Sequence, residues 1–281
     1  MTGKLTFLAL FVVFAIGCYF LIEHTHQDDQ HVVIAGGTPG EKYYSMDCPE
    51  CKGGEYHFDL VDPETAPSSE LSKILYGYYV MLETKKYVPE YCHNALDCNN
   101  CHFNAGNTLG GPKRGISLVG VALVYPKFSK RENKEIDLPY RIENCFMRSM
   151  NGKALPRDSY EMQAIIAYLN WISHELVDAP EMPWLGLPKI ESTHLPDADN
   201  GEKVYKRECS ICHNDDGEGT RGAPPLWGSN SFNDGAGMGT LPMLSSFVLL
   251  NMPYGQPTLT PEEALDVAAY VIKQPRPRFK K

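Results

Sequence analysis

One short motif occurs twice in this chain, and no other feature restricts its fold as strongly. The two copies are Cys98–His102 (CNNCH) and Cys209–His213 (CSICH). Two thiols at this spacing can bond to the two vinyl groups of a haem, and the histidine that follows can bind the iron. The alternative is a pair of CxxC disulfides followed by histidines without a metal. We expect two covalently attached haem c groups, bound through the thiols of Cys98, Cys101, Cys209 and Cys212 and the imidazoles of His102 and His213.

The N-terminal segment is predicted to direct the chain out of the cytoplasm. Residues 5–22 carry no charge, a length that is marginal for a bilayer span and long for a cleaved signal. Small residues ahead of Cys18 also fit a bacterial lipoprotein signal. We predict that residues 1–22 are a signal or membrane anchor, an uncleaved helix or a lipid on Cys18, and that the haem units lie in the bacterial periplasm. The formal net charge of -9 does not support nucleic-acid binding.

Residues 23–64 are predicted to form an irregular extension that carries two further cysteines. In an oxidising compartment the simplest interpretation is a disulfide within this pair or with a third cysteine. A structural zinc site that also uses a histidine is a second interpretation. A rare lysine-ligated haem is a third. The residues concerned are Cys48, Cys51, Lys52, His57, Cys92 and His93.

The rest of the chain is predicted to form two helical units, residues 65–179 and 198–281, joined by a proline-rich linker, residues 180–197. A helix is expected before the first motif, capped by Ser68 or Ser69, because apolar residues recur there at helical spacing. These residues are Leu71, Ile74, Leu75, Tyr78, Tyr79 and Leu82. A second helix is expected from Asp158, with Glu161 completing a capping box.

The second unit repeats this order of elements. A short helix over 200–208 is expected to lead into the second motif, and Thr260 and Glu263 form a capping box for a closing helix. The closing helices align as Glu161-x6-Tyr168 against Glu263-x6-Tyr270. We therefore predict an all-α fold of two cytochrome c-like domains, each wrapped around one haem.

Each iron needs a second axial ligand or an open site. In the second unit Met252 lies at a suitable distance between His213 and the closing helix, and Met238 is the alternative. Either methionine could instead pack in a core, as most do. At the matching place in the first unit stands Cys145, with Met147 and Met150 as rivals.

Polar and cationic residues surround Cys145 in the sequence. Arg141, Arg148 and Ser149 are our candidates for binding an anion beside this thiol, with Asn151 and Lys153 nearby. Each of them could also belong to a solvated helix end. A thiolate ligand would lower the potential of its haem, which suits a substrate site better than a simple electron relay.

Four blocks of the sequence, taken in order, resemble the dihaem thiosulfate dehydrogenases related to the SoxA cytochromes. The resemblance covers roughly residues 65–276, and the blocks are 96–102, 141–152, 225–228 and 251–255. It implies a His/Cys-ligated active-site haem with Cys145 as ligand, and a second haem ligated by Met252, since members carry Asn or Lys before the ligand methionine. This chain differs from the family in its anchor-like N-terminus, its Cys48/Cys51 extension and Cys92.

The implied reaction joins two thiosulfates to form tetrathionate, and some members are implied to run the reverse reduction. Electrons would pass through the second haem to a cytochrome or a membrane-bound acceptor. Arg141 and Arg148 would offset the charge of the substrate anions. Two rivals are an anchored electron-transfer cytochrome without substrate chemistry and a dihaem peroxidase, which needs an open histidine-ligated iron.

Overall fold

The computed structural model describes residues 60–176 and 182–280, together with the backbone of two short strands, β1 Val32–Ile34 and β2 Tyr56–Phe58. Helices dominate the described part. In the first unit they are α1 Leu71–Leu82, α2 Thr84–Tyr87, α3 Leu138–Asn144 and α4 Tyr160–Trp171. In the second unit they are α5 Ala198–Val204, α6 Ser210–His213, α7 Leu241–Asn251 and α8 Pro261–Lys273. β1 pairs with β2, and β3 Lys127–Ser129 pairs with β4 Lys134–Ile136, both antiparallel.

In each unit the first helix crosses the last helix, and their backbones are in close contact. In the first unit a Cβ on Gly77 of α1 would overlap the carbonyl of Ala164 in α4. In the second a Cβ on Gly201 of α5 would overlap the carbonyl of Asp266 in α8. Only glycine lets two helix backbones approach this closely. Ala164 and Asp266 occupy equivalent places in the alignment of the closing helices, so the crossings confirm the internal repeat and the all-α class.

The helix caps correct two details of the sequence interpretation. α1 is preceded by Glu70, which makes no side-chain cap, and not by Ser68 or Ser69. α4 is capped by Ser159, whose hydroxyl accepts from the N–H of Met162 at 3.1 Å, so Asp158 is not the cap. Adjacent polar residues compete for a cap, and the backbone decides which side chain reaches the free N–H groups. The capping box at the start of α8 is confirmed.

The proline-rich segment between the units packs against both of them. Trp184 is buried in the core of the first unit and donates from Nε1 to the carbonyl of Val119 at 2.8 Å. His194 contacts the buried carboxylate of Asp266 in α8 at 2.7 Å. The prolines of residues 180–197 exclude a helix, but they carry no information about which surface the segment covers.

The predicted anchor at residues 1–22, Cys18, Cys48, Cys51, Lys52 and the side chain of His57 lie outside the described residues. Across residues 60–176 and 182–280 no helix is long and apolar enough to cross a membrane. Over the same residues no group of three or more His, Cys, Asp or Glu side chains is arranged to hold a metal ion.

Candidate functional site

The first CxxCH motif presents a neutral imidazole and two unpaired thiols. His102 donates from Nδ1 to the carbonyl of Ile116 at 2.9 Å, which leaves Nε2 available for a metal. Burial lowers the pKa of His102 to about 4, so the ring is neutral at physiological pH. Cys98 and Cys101 are free thiols. A disulfide would join these two sulfurs, whereas haem attachment needs both thiols free. The geometry therefore favours haem attachment at this motif.

The second motif repeats this arrangement. His213 donates from Nδ1 to the carbonyl of Pro224 at 2.8 Å, and burial lowers the pKa of its ring. Cys209 and Cys212 are also free thiols.

The second unit further contains a buried cationic nitrogen, Arg276 Nε, that has no hydrogen-bond partner within the described part of the chain. Burial lowers the pKa of Arg276 to about 10, and an anionic group bound there would offset this cost. The residues present therefore fit two covalently bound haems.

Cys145 lies at the junction of α3 and a π-helical turn, Cys145–Ser149, and its sulfur faces a cation. Arg141, one turn earlier, donates from Nη1 to the Cys145 sulfur at 2.8 Å, and the charge of Cys145 raises the pKa of Arg141. Burial raises the pKa of the Cys101 thiol to about 12, and the charge of Cys145 acts in the same direction. Cys145 thus lies within electrostatic reach of the first haem motif.

The two rival methionines lie in different surroundings. Met150 is buried in the hydrophobic core of the first unit. Met147 lines a pocket of about 660 Å³ between the 147–154 segment and the C-terminal residues. Cys98 of the first motif packs against the same core as Met150, so ligation by Cys145, with Met147 and Met150 as rivals, stays a prediction.

A β-hairpin supplies residues to this site that the sequence interpretation missed. Tyr125, just before β3, interacts electrostatically with Arg141; burial raises the pKa of Tyr125 while Arg141 lowers it. Lys127 on β3 lies 5.0 Å from the centre of the Tyr125 ring, and burial and Arg141 both lower its pKa. Arg131, in the hairpin turn, donates to the carbonyl of Gly235 at 3.1 Å and interacts electrostatically with Arg148, Arg141 and Cys145. The run of basic residues over 127–134 is the sequence signal that could have indicated these hairpin residues.

Arg148 occupies a different environment from Arg141. Its guanidinium pairs with Glu132 at 2.8 Å, donates to Asn144 Oδ1 at 3.0 Å and to the carbonyl of Gly235 at 3.2 Å, and lies 4.0 Å over the ring of Phe279. The buried ion pair lies within the first unit, and the contacts to Gly235 and Phe279 join that unit to the second. The prediction that Arg148 contacts substrate therefore rests on sequence alone.

Ser149 lies at the end of the π-helical turn. Its carbonyl accepts a hydrogen bond from Asn94 Nδ2 at 2.7 Å. A substrate contact by its hydroxyl stays a prediction.

The two methionine candidates for the second haem lie in distinct places. Met252 is the half-buried residue that follows the last turn of α7. Met238 packs against the hydrophobic cores of both units. Ligation by Met252, with Met238 as the alternative, stays a prediction.

Comparison with known proteins gives a consistent result along the chain. Residues 92–177 match the family described as "SoxA/TsdA, cytochrome c domain", and residues 196–271 match "Cytochrome C oxidase, cbb3-type, subunit III". The thiosulfate dehydrogenase of Allochromatium vinosum is 36% identical over 213 residues, which cover 73% of this chain and 79% of that protein. That of Thiomonas intermedia is 38% identical over 225 residues, which cover 77% and 70% of the two chains.

Among solved structures, the fold is similar to that of the thiosulfate dehydrogenase (TsdBA) from Marichromatium purpuratum in its "as isolated" form. The TM-score is 0.69 at 26% sequence identity, and the match covers 76% of this chain. It covers 48% of the solved chain, so this protein spans about half the length of that structure.

Proposed function

Because the chain belongs to the thiosulfate dehydrogenase family of dihaem c-type cytochromes, we propose that it oxidises two thiosulfates to tetrathionate at Cys145. The observation that carries this proposal is the contact between Arg141 and the Cys145 sulfur beside the first haem motif. A cysteine held between a cation and a haem site is suited to sulfur chemistry on an anion.

Two sets of residues hold the covalently bound haem c groups. Cys98, Cys101 and His102 would hold the first haem, with Cys145 as a further ligand of its iron. Cys209, Cys212 and His213 would hold the second haem, with Met252 as a further ligand. Each haem iron supplies a one-electron acceptor when bound.

Cys145 carries the sulfur chemistry. Its thiolate forms an S–S bond to the outer sulfur of one thiosulfate, two electrons leave for an external acceptor, and the product is Cys–S–S–SO3⁻. The outer sulfur of a second thiosulfate attacks the sulfur bonded to Cys145. The bond to Cys145 breaks, tetrathionate leaves, and the thiolate is restored. The same bonds in reverse order describe tetrathionate reduction.

The cationic residues around Cys145 offset the charge of the substrates. Two thiosulfate dianions must come together at one sulfur, which costs Coulomb energy in a partly desolvated site. Arg141 lies closest to the reacting sulfur, and Lys127 and Arg131 extend the positive surface on the hairpin. In this proposal they hold the dianions and orient the attack.

The test is thiosulfate-dependent reduction of ferricyanide by the holoprotein and its Cys145→Ala variant. The variant is expected to lose turnover and to lose a thiolate-type low-spin EPR signal while keeping both haems. Cys92→Ala is the matched control, because Cys92 is another free cysteine of the first unit and has no role in the proposed chemistry. If Cys145→Ala kept full turnover, sulfur chemistry at Cys145 would be refuted. A wild type without thiosulfate turnover and without a thiolate-type signal, and with a spectrum unchanged by the mutation, would indicate an electron carrier.

We also propose a periplasmic location with the N-terminal segment as anchor. The support is the apolar run over residues 5–22 and the small residues before Cys18. Fractionation of cells that express the full chain, with mass spectrometry of the N-terminus, tests this. A cleaved, freely soluble protein would contradict the anchor.

A further inference from the structure

The last turn of α7 contacts the loop that supports the first haem motif. Asn251 is fully buried, and its Oδ1 accepts a hydrogen bond from the N–H of Gly115 at 2.8 Å. Its Nδ2 donates to the carbonyl of Phe247 at 3.1 Å. The backbone adds a second contact, since the N–H of Lys113 donates to the carbonyl of Leu250 at 2.9 Å. One side chain of the second unit thus holds a loop of the first.

The next residue in that loop binds the first motif directly. The carbonyl of Ile116 accepts the hydrogen bond from His102 Nδ1 at 2.9 Å, and its N–H donates to the carbonyl of Cys101 at 2.9 Å. Gly115 has φ +67°, and a Cβ there would approach the Phe103 ring and the Cys101 carbonyl within 3.0 Å. The loop is therefore closely packed, and a change at Gly115 is transmitted to the partner of His102.

Aromatic side chains also make contact between these two segments. Phe103, which follows His102, lies 5.9 Å from Phe247 and 5.3 Å from Tyr254, both edge to face. Phe247 and Tyr254 flank Asn251 and Met252 along the chain. The segments that carry His102 and Met252 thus meet at this junction.

We propose that Asn251 is a positioning residue that couples the two haem sites. By fixing Gly115, it holds the carbonyl of Ile116 against His102 Nδ1. A hydrogen bond at that nitrogen increases the basicity of the imidazole and stabilises ferric iron. Loss of the Asn251 contact weakens this bond and raises the midpoint potential of the first haem, although Asn251 lies in the second unit. The inference depends on haem attachment at both motifs and not on thiosulfate chemistry.

The experiment is an EPR-monitored redox titration of the holoprotein, in which each haem is followed by its own g-values. Asn251→Leu keeps the approximate shape of the side chain and removes both hydrogen bonds, and Asn251→Ala is the second variant. We expect the reduction equilibrium of the first haem to shift about tenfold toward the ferrous form, which for one electron is 59 mV. A first-haem potential equal to that of the wild type in both variants would overturn the proposal.

Met252→Ala is the matched control, because it changes the second haem site without removing the bond to Gly115. We expect Met252→Ala to shift the midpoint potential of the second haem only. An equal shift of the first haem in Met252→Ala would overturn the proposal, since coupling would then not require Asn251. In the wild type, slow exchange of the Gly115 N–H with deuterium is expected, and exchange at the rate of an open loop would also overturn it.

Discussion

Replacing Arg148 by methionine tests whether this arginine is a structural clamp or a substrate contact. Its side chain is 10% exposed and that of its partner Glu132 is 6% exposed, with 2.8 Å between Nη2 and Oε1. Methionine keeps much of the buried stem but leaves the carboxylate of Glu132 without its cation. Removing one member of a buried ion pair costs about 3–5 kcal/mol of unfolding free energy. We expect about 3 kcal/mol, because the Tyr140 hydroxyl at 3.3 Å remains as a partner of Glu132.

The control is Arg157→Met. Arg157 pairs with Asp137 and Glu143 at 2.9 and 2.6 Å, but its side chain is 50% exposed. An exposed ion pair contributes about 0–1 kcal/mol, so this variant should unfold close to the wild type. The double variant Arg148→Met with Glu132→Gln removes the uncompensated charge and is expected to regain part of the loss.

The assay is guanidinium unfolding of the holoproteins followed by circular dichroism, together with steady-state thiosulfate oxidation. Arg148→Met should unfold at lower denaturant concentration than Arg157→Met and keep a KM near that of the wild type. Wild-type unfolding combined with a strongly raised KM would refute the structural role and support the substrate contact predicted from the sequence.

Three further predictions concern the helix crossing, acid stability and the site cation. Gly77→Ala should lower the unfolding free energy by about 1–3 kcal/mol because its methyl group would overlap the Ala164 carbonyl; Gly222→Ala, which has open space, is the control in the same unfolding assay. Burial by itself raises the pKa of Asp266, but three hydrogen bonds outweigh it, so the pKa is lowered. The ionised carboxylate of Asp266 therefore stabilises the folded protein above the pKa that this group has in the unfolded chain. This stabilisation is lost as the pH falls through the lower pKa of the folded state. Unfolding of Asp266→Asn measured between pH 2 and 7 should lack this acid dependence, and an unchanged pH profile would contradict it. Arg141→Lys should lower kcat/KM for thiosulfate about 10²-fold with little change in the unfolding midpoint, and full activity would refute its role.

The sequence located those parts of the site that depend on short covalent spacing. The CxxCH motifs bring both thiols and an imidazole to one haem within five residues, whatever the rest of the chain does. The capping box of Thr260 and Glu263 is equally local, and the structure contains it. The repeat of the two units also pointed to Cys145, and its sulfur lies within reach of the first motif.

Sequence alone did not separate Arg141 from Arg148. Both would lie near Cys145 on one face of a continuous α-helix, since they precede and follow it by about one turn. Cys145 instead begins a π-helical turn, whose wider spacing carries Arg148 away toward Glu132 and Gly235. The backbone conformation at one turn therefore decided which arginine meets the sulfur.

The amino-acid sequence by itself determined the two CxxCH motifs and the helical class, because each follows from local spacing, and the two-unit repeat, because the same order of elements recurs. Only the tertiary structure brought the hairpin residues Tyr125 and Arg131 within electrostatic reach of Cys145, Lys127 within that of Arg141, and Asn251 to Gly115 across 136 residues of chain. Contacts between distant segments depend on how whole elements pack, and packing is a property of the assembled core that no local pattern contains.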